Sequence, residues 1–133
     1  MFTHRVEVRF RDCDPMGHAN NAVYLTYLEQ ARLAHWRSLW GYTPQLAQTK
    51  GPGVILARAE CDYKRAARFG ETLDVRMRVA GVGRSSFRYE YEIVDAEGRL
   101  VAAARTVQVM YDYSIEKPVQ IPDDVRALLT AAG

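Results

Sequence analysis

The sequence predicts an α+β fold in which one mostly antiparallel sheet of five strands wraps a single long helix, with a short helix at the C-terminus. Three observations carry this. Residues 20–40, "NNAVYLTYLEQARLAHWRSLW", run without proline or glycine and repeat apolar residues at three- and four-residue spacing. From residue 54 onward the chain reads mainly as alternating, strand-like segments. The helices of about 10–15 residues that a doubly wound parallel sheet needs between its strands are missing from the pattern.

The elements follow in order. Residues 4–11 alternate, with Val6, Val8 and Phe10 on one side and Arg5, Glu7, Arg9 and Arg11 on the other, the period of a half-buried strand. Pro15 and Gly17 make residues 12–19 a loop. In the helix, Tyr24, Tyr27, Leu28, Ala31 and Trp36 form the apolar stripe. Val23, Leu25, Leu33 and Leu39 widen it, so the helix should be covered on more than one side. Asn20 or Asn21 can cap its first turn, and Gly41 and Pro44 end it. Glu29 and Arg32 stand three apart, at the spacing of a helical ion pair. Trp36 and Trp40 suit the core or a subunit interface. Strands are expected at 54–64, 72–80 and 86–94, the last with Phe87, Tyr89, Tyr91 and Ile93 alternating against charged neighbours. "DAEG" at 95–98 suits a hairpin turn into a final strand at 100–111. Residues 121–129 read as the short helix, with Pro122 and Asp123 near its start.

A chain of 133 residues, 48% of them apolar and 26% charged, can bury a core, and it suits one domain spanning 1–133. A net charge of +2 argues against nucleic acid, whose phosphates call for a clustered basic face. No apolar run approaches the roughly 18 residues of a membrane span, and the alternating "MFTHRVEVRF" lacks the apolar stretch of a signal peptide. Cys13 and Cys61 form neither a CxxC pair nor a disulfide framework, and read as reduced thiols of a cytoplasmic protein.

The chemistry concentrates in "RDCDPMGHANN", residues 11–21, where two aspartates, a histidine and two asparagines join a strand to the helix. Helix capping accounts for one such residue, not five. Asp12, Asp14 and His18 could ligate a metal, but no second ligand cluster is near in sequence and the acids lack calcium-loop spacing, so neither a metal nor another cofactor is expected. Paired aspartates after a strand also serve phosphatases of the haloacid-dehalogenase type, whose larger doubly wound domain the β-rich remainder cannot supply. Acyl transfer is a further reading that fits the residues, and a helix cap fits the same geometry. A carboxylate beside a helix N-terminus sits where amides carry partial positive charge, and such amides can hold a carbonyl oxygen as it becomes negative. Asp14 could attack a thioester carbonyl or take a proton from water.

The stretch "RVEVRFRDCDPMGHANNAVYLTYLEQAR" resembles the signature of hotdog-fold acyl-CoA thioesterases of the 4-hydroxybenzoyl-CoA thioesterase class. That pattern is met by Asp12, Asp14, Gly17, His18, Asn20, Asn21, Tyr24, Tyr27, Glu29 and Arg32, and similarity continues through "DYKRAARFGETLDVRMRV", "GRSSFRYEYEI" and "KPVQIPDDVRALL". The resemblance implies a long helix wrapped by an antiparallel sheet, and homodimers or homotetramers with active sites at the dimer interface. Asp14 falls on the family's catalytic carboxylate, with Asp12 structural behind it. His18, Asn20 and Asn21 fall on the loop and helix start that face the thioester, and Tyr24 lies one turn on. Ala19 replaces the larger aliphatic residue common there, and Ala66 or Ala67 stands where many relatives have proline.

These observations predict an enzyme that hydrolyses an acyl-CoA thioester to a carboxylic acid and CoA, with Asp14 and His18 catalytic. The amides near Asn20 to Ala22 would clamp the carbonyl. Lys64, Arg65, Arg68 and Arg84 are candidates for the CoA phosphates, with Ser85 and Ser86 adding hydroxyls. The alternative is a non-catalytic hotdog module that binds acyl-CoA or acyl-carrier protein, since fold does not fix function.

Overall fold

The computed structural model describes residues 1–42 and 50–133. Pro44, expected to help end the long helix, lies outside them. The order is β1 (Phe2–Glu7), a 3₁₀ turn (Phe10–Asp12), α1 (Asn21–Trp40), β2 (Pro52–Tyr63), β3 (Thr72–Val82), β4 (Ser86–Val94), β5 (Leu100–Asp112), β6 (Lys117–Pro118) and α2 (Asp123–Ala131). The strands run β1-β3-β4-β5-β2 across one antiparallel sheet, and β6 pairs with β5. The two-residue β6 makes a sixth strand beyond the five expected; it is too short to leave an alternating pattern in the sequence.

The long helix forms where its spacing indicates. Asn20 caps it, its Oδ1 accepting the Ala22 amide at 2.9 Å. Gly41 ends it at φ 71°, a left-handed turn that disfavours any side chain. Tyr24, Tyr27, Leu28, Ala31 and Trp36 are buried against the sheet, as are Arg32 and His35. These two polar residues are accommodated because β4 presents tyrosine hydroxyls to them. Arg32 Nη1 donates to Tyr91 Oη at 3.3 Å, and Tyr89 Oη bonds both His35 Nδ1 at 2.8 Å and Trp36 Nε1 at 3.0 Å. Arg32 therefore turns inward to the sheet, while Glu29, its expected partner, is exposed. Leu25, counted in the widened stripe, is exposed as well.

Strand β4 keeps the expected alternation, with Phe87, Tyr89, Tyr91 and Ile93 all buried. The first strand differs from expectation. It begins at Phe2 and stops at Glu7, and Phe10 points to solvent instead of joining Val6 and Val8 in the core. The cause is Asp12, whose carboxylate takes the backbone amide of Arg9 at 3.0 Å and closes residues 10–12 into a turn. No helix of the described residues is long and apolar enough to cross a membrane.

Candidate active site

The loop between β1 and α1 is built around two aspartates with different surroundings. Asp12 is buried, and its carboxylate accepts from Arg9 Nη2 at 2.9 Å and Tyr27 Oη at 2.9 Å besides the Arg9 amide. Burial would raise its pKa, but the hydrogen bonds from Arg9 and Tyr27 outweigh it and hold the carboxyl below the usual range. Asp14 is only partly covered. Its Oδ1 accepts the Met16 amide at 2.9 Å and its carbonyl accepts Gly17 N–H at 3.0 Å, a tight turn that Gly17 completes at φ 86°. Asp14 N–H donates to His18 carbonyl at 3.1 Å, which sets His18 beside Asp14.

The loop at 64–71 closes over the helix start. His18 pairs with Arg68 in an antiparallel bridge. Ala19 N–H donates to Ala67 carbonyl at 2.7 Å, and Ala67 N–H donates to Tyr24 Oη at 3.2 Å. Between the two loops opens a cleft of about 380 Å³. Asp14, His18, Asn21 and Tyr24 line it from the junction and helix; Tyr63, Lys64 and Arg65 line it from the end of β2 and the loop beyond. Ala19 and Ala66 also line it, whereas Ala67 is buried. A larger hollow of about 420 Å³ lies on the outer face of the sheet, among paired charges such as Arg78–Glu90 and Arg105–Glu60. It contains none of the junction residues.

The amides at the start of α1 are mostly taken. Asn20 N–H donates to Asp12 carbonyl at 2.9 Å, Ala22 N–H to Asn20 Oδ1, and Val23 N–H to Asn20 carbonyl at 2.9 Å. Among the described residues Asn21 N–H has no such partner, and Asn21 lines the cleft. The clamp expected from Asn20 to Ala22 narrows to one free donor at the positive end of the helix.

Residues 8–129 match the thioesterase-like superfamily. The chain belongs to that superfamily. Its fold is hotdog-like, and the enzyme is a thioester hydrolase. It is 29% identical over 128 residues to the acyl-CoA thioesterase YbgC of Haemophilus influenzae, an alignment covering 95% of this chain and 92% of that one. It is 25% identical over 127 residues to the long-chain acyl-CoA thioesterase FadM of Escherichia coli, covering 94% of each. Among solved structures, a thioesterase of Thermus thermophilus complexed with coenzyme A and zinc superposes with a TM-score of 0.82 at 35% identity, covering 98% of this chain and 92% of that one.

The four cations expected at the CoA phosphates divide into three sets in this thioesterase-like chain. Lys64 and Arg68 are exposed beside the cleft. Arg65 is already engaged: its Nη2 meets Glu71 Oε1 at 2.5 Å and Asp95 Oδ2 at 2.8 Å. Asp95, buried under the β4–β5 turn, also takes Arg99 and two turn amides. Burial opposes its ionisation, yet the bonds from Arg99 and Arg65 prevail and lower its pKa to about 2. Arg84, Ser85 and Ser86 do not line the cleft. They sit at the β3–β4 turn, and the 11 residues of β3 separate them from the 64–71 loop, roughly 35 Å of extended chain.

Sequence reasoning misses Tyr63 and the Arg65–Glu71–Asp95 triad. Tyr63 is legible only as one alternating residue of a strand, and nothing local distinguishes Asp95 from an ordinary turn aspartate. Cys13 and Cys61 are free thiols. No three His, Cys, Asp or Glu side chains are grouped to hold a metal ion among the described residues.

Proposed function

We propose that this protein, a single domain spanning residues 1–133, hydrolyses acyl-CoA thioesters in the cytoplasm, in the manner of the 4-hydroxybenzoyl-CoA thioesterase class. The observation that carries the reading is that Asp14 and Asn21 line one cleft, Asn21 being a residue at the helix start whose amide has no acceptor among the described residues. The thioester carbonyl oxygen takes the Asn21 N–H, which stabilises negative charge as it develops. The Asp14 carboxylate then works in one of two ways. As nucleophile it adds to the carbonyl carbon, the C–S bond breaks to release the CoA thiolate, and water hydrolyses the resulting anhydride. As general base it takes a proton from water while the hydroxide adds to the same carbon, and the thiolate leaves with that proton. His18 orients substrate or water. Lys64 and Arg68 meet the CoA phosphates at the rim, and Arg65 holds the wall through its two carboxylates. The acyl-CoA named for the two relatives and the coenzyme A bound to the Thermus enzyme support a CoA ester as substrate, and the resemblance to hotdog thioesterases implies a homodimer or homotetramer.

The test is thiol release from a panel of short, long and aromatic acyl-CoAs, with wild type and Asp14→Asn compared directly. The variant should keep its circular dichroism and lose turnover by about 100-fold or more. Equal rates would reduce Asp14 to a loop residue and end this mechanism. A single turnover in heavy-oxygen water separates direct water attack, which puts one labelled oxygen into the acid, from an anhydride opened at its aspartyl carbonyl, which leaves the first product unlabelled and the label on Asp14.

A further inference from the structure

Tyr63 ends β2, and the residue is 48% exposed, so burial does not account for an aromatic residue there. Its hydroxyl donates to the carbonyl oxygen of Asn21 at 2.9 Å, tying the end of a strand to the first residue of α1. Its ring meets that of Tyr24 edge to face at 5.2 Å, and Tyr24 is itself held by the Ala67 amide.

Asn21 is thereby secured from both sides. The peptide before it is fixed because Asn20 N–H donates to Asp12 carbonyl and Asn20 carbonyl accepts Val23 N–H. On the other side, Tyr63 reaches its carbonyl from outside the helix. A backbone carbonyl has two acceptor positions, so it can take this hydroxyl and a helical amide together. Helix ends otherwise fray, and a donor stabilises developing charge best when it is aimed beforehand.

We propose that Tyr63 is a positioning residue for thioester hydrolysis: its hydroxyl fixes the first residue of α1 so that the Asn21 amide faces the substrate carbonyl, and its ring walls the cleft beside the acyl group. This rests on the acyl-CoA reading above. Tyr63→Phe keeps the ring and deletes the hydroxyl, whereas Tyr63→Leu deletes both.

The experiment measures kcat and KM on the acyl-CoA panel, together with hydrogen exchange at the Asn21 and Ala22 amides. Tyr63→Phe should lower kcat about fivefold, the worth of one hydrogen bond, with KM nearly unchanged and exchange faster at Ala22, whose bonded amide shares a peptide with the Asn21 carbonyl. Tyr63→Leu should raise KM as well, and Phe in place of Leu should restore it. An active wild type with an unaltered Phe variant would overturn the assignment of Tyr63 while leaving the hydrolase reading intact. So would kcat and melting temperature falling in parallel in both variants, as a merely structural contact would produce. Were wild type to release no thiol from any acyl-CoA, the acyl-CoA reading would fail and the positioning role with it.

Discussion

Asp12 and Asp14 stand two positions apart, yet one is closed off and the other faces a cleft. Asp12 has its carboxylate occupied by Arg9 and Tyr27; Asp14 retains carboxylate surface beside His18 and Asn21. Their substitutions should therefore separate. Asp12→Ala strands the Tyr27 hydroxyl and opens the 3₁₀ turn, and should lower unfolding free energy by about 2 kcal/mol in urea titrations. Asp14→Asn should barely move that midpoint while removing turnover. The same contrast limits what can be inferred from acids in a sequence, because a signature aspartate is reactive only where its neighbours leave it unsatisfied.

At the scale of elements, α1 is held at its N-terminus by Asn20, which caps through its side chain and anchors through its backbone. Asn20→Ala should cost about 1 kcal/mol of stability. It also releases the Ala22 amide and should lower kcat by loosening the helix start. The 64–71 loop depends on a different support. Arg65 ties it to Asp95 at the β4–β5 turn, and the lowered pKa of Asp95 gives that tie a pH signature. The folded carboxyl titrates near 2, below the roughly 3.9 of an unfolded aspartate. Its stabilisation is thus complete above about pH 4 and is lost as pH falls toward 2. Urea midpoints measured down this range should fall less steeply for Asp95→Asn than for wild type.

Across the molecule as a whole, α1 meets the sheet through a buried polar seam as well as through apolar packing. Tyr89 alone satisfies both His35 and Trp36, so Tyr89→Phe should cost about 2 kcal/mol by stranding two ring nitrogens. Burial pushes the pKa of His35 from 6.5 down to about 4. The fold therefore holds a neutral imidazole. Unfolded chain binds the proton first, and stability should decline as pH falls from about 6.5 to 4. Replacing His35 with Gln should flatten that limb while leaving the Asp95 limb at lower pH in place.

Features that depend on neighbours a few positions away are legible in the amino-acid order alone. Periodicity marks α1 at residues 20–40 and β4 at residues 86–94 almost to the residue, because those repeats follow from helix and strand geometry. The junction residues Asp14, His18, Asn21 and Tyr24 can be grouped because one short loop and one helical turn hold them together. Periodicity reports which face of an element is apolar, but not which elements meet. Phe10 fits the alternation of a strand, and only the Asp12 turn sends it outward. Arg84, Ser85 and Ser86 suit a phosphate by residue type, yet β3 carries them away from the cleft. Tyr63 meets Asn21 across 42 residues, and Arg65 meets Asp95 across 30. Contacts at such separations exist only after the sheet has assembled around the helix, so it is the assembled fold that selects which aspartate stays free, which amide is left open and which tyrosine reaches the carbonyl at the start of α1.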